Sequence, residues 1–129
     1  MMKVEDVMTP DPMSLSPLQT VRDAYALMSE RGFRHVPITD NGALVGLISL
    51  TDIGRLGARV PEILAKTLRD VMTTTLITIR PEEVVDVAAA KMATRKINCL
   101  PVVVDAKLVG IITTYDLLDA LARRIREQK

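Results

Sequence analysis

The sequence contains few of the residues on which several classes of protein depend. It has no Trp, and its aromatic residues are Tyr25, Phe33 and Tyr115, whereas proteins that bind single-stranded nucleic acid usually combine a basic groove with several stacking aromatics. Its formal net charge is +1, so it has no large positive field to hold a polyanion. Cys99 is the single cysteine and His35 the single histidine, which excludes an internal disulfide and leaves too few ligands for a metal cluster. We therefore expect neither nucleic acid nor a metal ion as a partner.

Long apolar runs and glycine-rich phosphate loops are also missing. No window approaches a membrane span of about 18 uninterrupted apolar residues, and the N-terminus MMKVEDVMTPDP lacks the apolar core of a signal peptide. No Walker-type loop occurs, and one histidine with one cysteine, lacking a third orienting group, would make a poor nucleophilic pair. The sequence therefore predicts a soluble, cytoplasmic protein that is not an enzyme.

What the sequence does contain is an internal repeat. Shifting the chain by 64 positions, the distance from Asp52 to Asp116, aligns EDVMTPDPMSLSP with RDVMTTTLITIRP and LVGLISLTD with LVGIITTYD, without a gap between residues 4 and 52. We assign residues 1–62 to a first copy and residues 63–129 to a second copy. Because a unit of about 60 residues is marginally stable alone, the two copies should form one globular module.

Each copy has the pattern of a small unit that mixes helix and strand. Residues 21, 24, 25 and 28 lie on one face of a predicted helix, and residues 85, 88, 89 and 92 repeat that face. Two apolar strands follow, HVPIT and ALVGLIS in the first copy and CLPVVV and KLVGIIT in the second. The sequence DNG at residues 40–42 favours a tight hairpin turn, whereas DA at residues 105–106 is a weaker turn signal. A second helix is predicted over about residues 50–58 and 114–127.

The repeated motif Ser49-x-x-Asp52 and Thr113-x-x-Asp116 lies where an apolar strand gives way to a helix. One interpretation is a capping box, in which the hydroxyl accepts a bond from a first-turn N–H and the carboxylate reaches back to the cap. The other is a ligand site, because a helix N-terminus attracts phosphate and an aspartate can accept two hydrogen bonds from a ribose diol. The glycine before each motif would let a backbone or a flat ring approach closely. The spacing is compatible with both interpretations.

The order of these motifs resembles a tandem pair of CBS domains, often called a Bateman module. Each copy contains [ED]-x-V-M-T, then P, V, A and M, then an apolar-Pro-apolar strand, then L-V-G-h-I-[ST]-x-x-D, where h is apolar. The resemblance implies a mixed α/β (α+β) fold in which two β-α-β-β-α repeats pack through their sheets about a pseudo-twofold axis. It also implies a non-catalytic, ligand-sensing regulatory module that binds AMP, ADP, ATP or S-adenosylmethionine in clefts between the repeats and requires no other cofactor.

The resemblance also assigns residues to that ligand. Asp52 and Asp116 would hold ribose hydroxyls, and Ser49 and Thr113 would lie near phosphate. The family's polar position before the first long helix is occupied by Ser14 and Thr78. The residues expected near adenine are Met13, Ile77, Pro37 and Pro101.

Cations for the phosphates are expected first at the start of the VPI strand in the first copy, with Arg31, Arg95 and Lys96 as fallback candidates. Arg34 and His35 precede this strand, whereas the second copy has Asn98 and Cys99 at those positions. The two clefts should therefore differ.

A function of a different class also fits the sequence. The chain would then be a ligand-free structural dimerisation or protein-interaction module, in which the motif residues are only helix caps. The last helix is amphipathic, with apolar residues at 117, 118, 121 and 125. Because Bateman modules often pair through their helices, we expect a homodimer, together with an unidentified effector protein that responds to the ligand.

Overall fold

The helices and strands that the repeat predicts are present in both copies. The structure, a computed structural model, describes residues 1–128. Its elements, in chain order, are α1 (Val4–Val7), β1 (Thr9–Pro10), α2 (Val21–Arg31), β2 (His35–Asp40), β3 (Ala43–Ser49), α3 (Leu50–Gly57), α4 (Leu68–Val71), α5 (Val85–Arg95), β4 (Cys99–Val104), β5 (Lys107–Thr113) and α6 (Thr114–Glu127). A short 3-10 turn, Ile63–Ala65, lies between α3 and α4. Within residues 1–128, no helix is long and apolar enough to span a membrane.

The long helices α2 and α5 bury part of the predicted apolar face, whereas Tyr25 on α2 and Ala89 on α5 are exposed, contrary to the prediction. Val21, Ala24 and Met28 are buried on α2, and Ala88 and Met92 are buried on α5. These positions follow the spacing of one helical face, so the repeat in the sequence is also a repeat in packing.

The two helices begin differently. Asp23 N donates to Oγ1 of Thr20 at 3.3 Å, and Thr20 N donates to Oδ2 of Asp23 at 3.0 Å, so α2 begins with a complete capping box. α5 begins after Val84, whose side chain offers no cap. The box at Thr20 therefore has no counterpart in the second copy.

Both hairpins turn through two residues in the left-handed region. Asn41 and Gly42 have φ angles of 52° and 83°, and Asp105 and Ala106 have φ angles of 48° and 68°. The first turn has the residues that such a backbone favours, whereas the second places an alanine where glycine would be unstrained. The second copy therefore forms the same turn as the first, but with a strained residue, Ala106.

The chain folds into two compact units whose composition differs from the predicted copies. One unit contains Met13–Leu76, and the other contains Met1–Pro12 together with the chain from Ile77 onward. The division of the sequence at residues 62 and 63 stays a prediction about the repeats. In three dimensions, the segment before each copy belongs to the unit that holds the hairpin of the other copy.

The exchanged segments are the two VMT motifs. In one unit, Thr9 of β1 lies opposite Ile111 of β5. In the other unit, Thr73 lies opposite Leu47 of β3. Backbone hydrogen bonds fix both segments. Asp11 N donates to Val109 O at 3.1 Å after the first motif, and Leu47 N donates to Thr73 O at 3.0 Å and Thr73 N to Leu47 O at 2.9 Å at the second.

The methionine of each exchanged segment covers the glycine of a repeated motif. A Cβ atom built on Gly46 would lie 2.8 Å from Cγ of Met72 and closer still to its sulfur. A Cβ atom built on Gly110 would lie 3.1 Å from Cγ and Cε of Met8, again with the sulfur closer. The close approach predicted at these glycines is therefore made by a methionine side chain from the same unit.

Each unit has its own apolar core. The core of the Met13–Leu76 unit comprises Val21, Ala24, Met28, Val36, Ile38, Ile48, Ile53, Ile63 and Leu68. The core of the other unit comprises Val4, Ile79, Ala88, Met92, Leu100, Val102 and Ile112. Val4 in α1 and Leu68 in α4 lie three residues before the two VMT motifs, so burial of these side chains anchors each exchanged segment to its unit.

Candidate functional site

The first candidate site is the junction of β3 and α3, which we call the Asp52 corner (Ser49–Asp52). Asp52 N donates to Oγ of Ser49 at 3.0 Å, and Ser49 N donates to Oδ2 of Asp52 at 3.2 Å. The other carboxylate oxygen, Oδ1, accepts a hydrogen bond from Nη2 of Arg55 at 2.7 Å. The Asp52 side chain is 24% exposed and that of Arg55 is 61% exposed.

The second candidate site is the junction of β5 and α6, which we call the Asp116 corner (Thr113–Asp116). Asp116 N donates to Oγ1 of Thr113 at 3.2 Å, and Thr113 N donates to Oδ2 of Asp116 at 2.9 Å. The Thr113 hydroxyl lies 3.1 Å from the same Oδ2. Among the described residues, the hydrogen bonds of this carboxylate all go to Oδ2, so Oδ1 remains open to a further donor.

The capping interpretation of the repeated motif is confirmed at both corners. Each box occupies one carboxylate oxygen, and the second oxygen is open at Asp116 or held by an exposed arginine at Asp52. An exposed ion pair contributes at most about 1 kcal/mol, so a ligand can displace Arg55 at small cost. A carboxylate can therefore cap its helix and still accept a hydrogen bond from a ligand.

The segment before α2 runs beside β2, which pairs with β3 in the hairpin that leads to the Asp52 corner. Leu15 N donates to Pro37 O at 3.1 Å. Oγ of Ser14 lies 3.0 Å from Oγ1 of Thr39. Met13 is 45% exposed, whereas the side chain of Pro37 is fully buried. The structure thus places Ser14 beside the hairpin that ends at Ser49, and the carbonyl of Pro37, not its side chain, binds this segment.

The second copy repeats the backbone contact but not the hydroxyl contact, because Val103 replaces Thr39, and it adds a cation. Ile79 N donates to Pro101 O at 3.1 Å, and the Pro101 side chain is fully buried. Ile77 packs against the core of its unit. Nζ of Lys91 donates to Thr78 O at 2.9 Å, which places a cation beside the predicted polar position.

Arg34 and His35 lie at the start of β2, across from the Asp52 corner. His35 is opposite Ser49 in the strand register, and Leu50 N donates to Arg34 O at 2.8 Å. Burial lowers the pKa of His35, Asp52 partly offsets that shift, and Arg34 adds to it. His35 is therefore a neutral imidazole at pH 7, and the exposed Arg34 is the cation of this pair.

The equivalent positions in the second copy carry no cation. Cys99 is opposite Thr113 in the strand register and is 4% exposed. Burial, together with the charge of Asp116, raises the pKa of its thiol to about 12, so the thiol is an apolar packing group at neutral pH. Thr114 N donates to Asn98 O at 2.9 Å, which repeats the contact between Leu50 and Arg34.

An open depression of about 790 Å³ lies beside the Asp116 corner, within the unit that contains β4 and β5. Its charged lining comprises Asp6, Asp86, Asp116, Asp119, Glu127, Arg123 and Arg124. The remaining lining comprises Met1, Met2, Val7, Met8, Val85 and Ala120. Within residues 1–128, no group of three or more His, Cys, Asp or Glu side chains is placed to hold a metal ion.

Three charged residues near the candidate positions were not predicted from the sequence. Arg55 binds Asp52, Asp119 pairs with Arg123 on α6, and Lys91 binds the carbonyl of Thr78. The repeat alignment contained a signal for two of them, because Arg55 and Asp119 are 64 positions apart and have opposite charges.

Comparisons with known proteins match nearly the whole chain. The family profile of the CBS domain matches twice, at residues 4–57 and 68–123. The L-aspartate semialdehyde sulfurtransferase of Methanosarcina acetivorans is 34% identical over 123 residues, which are 94% of this chain but 24% of that enzyme. The CBS domain-containing protein YhcV of Bacillus subtilis is 31% identical over 117 residues, which are 91% of this chain and 84% of YhcV. The chain thus spans about a quarter of the enzyme relative.

Three solved structures share the fold over most of their length. AcuB from Vibrio cholerae has a TM-score of 0.90 and 36% identity, and the match covers 99% of this chain and 96% of AcuB. The CBS domain pair of protein MJ0100, in complex with 5′-methylthioadenosine and S-adenosyl-L-methionine, has a TM-score of 0.86 and 31% identity, with coverage of 95% and 97%. CBSX2, in complex with AMP, has a TM-score of 0.82 and 30% identity, with coverage of 98% and 99%.

Proposed function

The chain belongs to the CBS-domain family as a tandem pair of CBS domains, and on that premise we propose that it is a non-catalytic regulatory module that binds an adenosine nucleotide or S-adenosylmethionine. Relatives of similar length were solved with AMP and with 5′-methylthioadenosine and S-adenosyl-L-methionine. The match to the sulfurtransferase covers a quarter of that enzyme, so its activity is not carried over to this chain.

The observation that carries the proposal is the half-used carboxylate at each corner. Oδ2 of Asp52 and of Asp116 caps its own helix, whereas Oδ1 is open or held by an exposed arginine. Oδ1 is thus the atom that accepts a hydrogen bond from a ribose hydroxyl. At the starts of α3 and α6 the helix dipole would stabilise a phosphate, with the hydroxyls of Ser49 and Thr113 nearby.

The remaining ligand contacts follow the placement of the segments before α2 and α5. Ser14 and Thr78 are the polar groups next to the hairpins, and Arg34 is the exposed cation at the start of β2. Met13 and Ile77 supply apolar surface for adenine, with the backbone of Pro37 and Pro101 beside them. These roles are part of the proposal.

Regulation requires that the ligand favour one conformation over another. A ligand with equal affinity for two states shifts nothing, so the chain signals only if the bound form differs in its affinity for an effector protein. We place this module in the cytoplasm, a reducing compartment in which the buried, unpaired Cys99 is stable.

Isothermal titration with AMP, ATP and S-adenosylmethionine tests the proposal. The wild-type chain should release or absorb heat with at least one of these compounds, and the Asp52→Ala/Asp116→Ala variant with none. Asp23→Ala is the matched control, because it removes a capping box of the same type from α2, outside the proposed site. It should lose similar stability to a single corner variant and keep full ligand affinity.

The competing function, a ligand-free interaction module, is favoured by the completeness of both caps. Ser49–Asp52 and Thr113–Asp116 satisfy their helix starts with protein groups alone. Under this function, none of the three compounds would give heat at millimolar concentration, and the corner variants would change stability only.

We also propose that the chain forms a homodimer through α6. Tyr115, Leu118, Leu121 and Ile125 are exposed at 75%, 60%, 53% and 49%, on a helix whose residue Ala120 is buried. A stripe of large exposed apolar side chains on one helix is typical of an interface. Sedimentation should show a dimer at micromolar concentration that Leu118→Glu/Leu121→Glu converts to monomer, whereas a monomeric wild-type chain would contradict the proposal.

A further inference from the structure

The two corners differ in charge at a position that the repeat makes equivalent. Three residues after the corner aspartate, the first copy has Arg55 and the second has Asp119. In both helices, residues three apart lie on the same face, about 5–6 Å apart at Cβ. Each side chain is therefore next to the carboxylate that the proposed function assigns to the ribose.

At the Asp52 corner, the neighbouring charge neutralises the aspartate. Nη2 of Arg55 donates to Oδ1 of Asp52 at 2.7 Å, and the arginine side chain is 61% exposed. Such a guanidinium can turn from the carboxylate to a phosphate, which it binds through two parallel N–H donors. That movement would also release Oδ1 of Asp52 for a ribose hydroxyl. Arg34, at the start of β2, adds a second positive charge near the same corner.

At the Asp116 corner, the neighbouring charge increases the negative potential. Asp119 is paired with Arg123, one turn further along α6, so Asp116 has no cation of its own on this helix. The charges of Asp116, Asp119 and Arg123 sum to −1, whereas the pair of Asp52 and Arg55 is neutral. The charged side chains that line the depression beside this corner are five carboxylates and two arginines, Arg123 and Arg124, so their charges sum to −3. Lys91 does not line it, because its amine is bound to Thr78 O. A phosphate placed here would therefore face a net negative charge.

We propose that the two corners select adenosyl ligands by the charge of the 5′ substituent. The Asp52 corner takes a ligand with a 5′ phosphate, and the Asp116 corner takes one whose 5′ substituent is uncharged or cationic. Arg55 and Asp119 are the specificity-determining residues. The inference rests on the proposed function, because it assumes that the ribose binds at each corner aspartate. Relatives have been solved with ligands of both kinds, AMP in one and 5′-methylthioadenosine with S-adenosyl-L-methionine in another.

AMP and 5′-methylthioadenosine are the probes that isolate this difference, because they share adenosine and differ in the charge at the 5′ position. The Asp116→Ala variant leaves the Asp52 corner as the one intact site, and Asp52→Ala leaves the Asp116 corner. By titration, the first variant should bind AMP about fivefold more tightly than 5′-methylthioadenosine, since an ion pair with an exposed arginine is worth up to about 1 kcal/mol. The second variant should show the reverse order.

Substitution at the two specificity positions then tests the cause. In the Asp116→Ala background, Arg55→Gln should remove the preference for AMP and change the affinity for 5′-methylthioadenosine by less than about threefold. In the Asp52→Ala background, Asp119→Asn should reduce the ratio by which 5′-methylthioadenosine binds more tightly than AMP. The double swap Arg55→Asp/Asp119→Arg leaves the net charge of the chain unchanged and should exchange the preferences of the two corners. Circular dichroism and thermal unfolding verify that each variant is folded.

The outcomes separate this inference from the proposed function. If both probes bind but the AMP to 5′-methylthioadenosine ratio is the same at both corners, or is unmoved by Arg55→Gln and Asp119→Asn, charge selection is wrong and ligand binding stands. If neither probe nor S-adenosylmethionine gives heat with the wild-type chain, the proposed function is wrong and the inference falls with it. Added salt should weaken the binding of AMP at the Asp52 corner and leave the affinity for 5′-methylthioadenosine nearly unchanged.

Discussion

Substituting the motif glycines with alanine should destabilise the chain by overpacking a methionine. A Cβ atom at Gly110 would lie 3.1 Å from Cγ and Cε of Met8, and one at Gly46 would lie 2.8 Å from Cγ and 3.2 Å from Cβ of Met72. Carbon atoms in good contact are about 3.5–4.0 Å apart, so both side chains would have to move. Overpacking of this kind costs about 1–3 kcal/mol.

The two glycines should differ in cost. At Gly110 the crowded atoms lie beyond the Cβ of Met8, and a flexible thioether can rotate away. At Gly46 the crowded atoms include Cβ of Met72, which cannot move without its backbone, and Thr73 next to it is hydrogen-bonded to β3. We expect Gly110→Ala to cost about 1–2 kcal/mol and Gly46→Ala about 2–3 kcal/mol.

Urea denaturation of a double-mutant cycle measures the effect. In the cycle of Gly110→Ala with Met8→Ala, the shortened side chain should remove the clash, so the double variant should be at least about 1 kcal/mol more stable than the sum of the single changes predicts. Gly54→Ala is the control, because a Cβ at this position of α3 meets nothing within 4 Å. It should stabilise the chain by about 0.5–1 kcal/mol. Additive single effects in the cycle, or a smaller cost at Gly46 than at Gly110, would refute the reasoning.

Three further predictions concern stability. Asp52→Ala and Asp23→Ala each remove a capping box and should each lower the free energy of unfolding by about 1 kcal/mol, measured by denaturation. Ala106→Gly should raise the free energy of unfolding by about 1 kcal/mol, because alanine at a φ of 68° is strained; a lower melting temperature would contradict this. Burial lowers the pKa of His35 in the folded chain, so the unfolded chain takes up a proton first as pH falls below about 6.5, and stability should decrease there. His35→Gln should flatten that decrease in a pH series of melting curves.

The repeat made most of the secondary structure predictable from the sequence. The helices at residues 21–31 and 85–95 follow from the 3.6-residue spacing of their apolar residues, and the hairpins follow from paired apolar runs. The turn at Asn41 and Gly42 has a direct signal in its residue types. At Asp105 and Ala106 that signal is weak. The turn is predicted there because these residues are equivalent, by the repeat, to Asn41 and Gly42.

The pairing of the VMT segments could not be predicted in the same way. The two copies have similar cores, so the residue types of Val4 and Leu68 do not show which core receives each side chain. For the same reason, the sequence does not show which side chains contact Gly46 and Gly110. A glycine in a strand indicates that something approaches closely, without identifying the group.

The sequence was sufficient to predict the motif residues of the two corners, but not the charged residues next to them. The spacing of Ser49 and Asp52 is sufficient for the capping box that the structure contains. Arg55 and Asp119 look like ordinary charges on solvated helix faces, and their relation to the corner aspartates is visible only when the two copies are compared. The lowered pKa of His35 also required the structure, because it results from burial.

The most direct test of the account is a crystal structure of the chain grown with millimolar AMP and 5′-methylthioadenosine. The account predicts that Oδ1 of Asp52 and of Asp116 each accepts a hydrogen bond from a ribose hydroxyl, within about 3.2 Å, while Oδ2 keeps its bond to the helix start. Density for neither compound at either corner, with Arg55 still bound to Asp52, would contradict it.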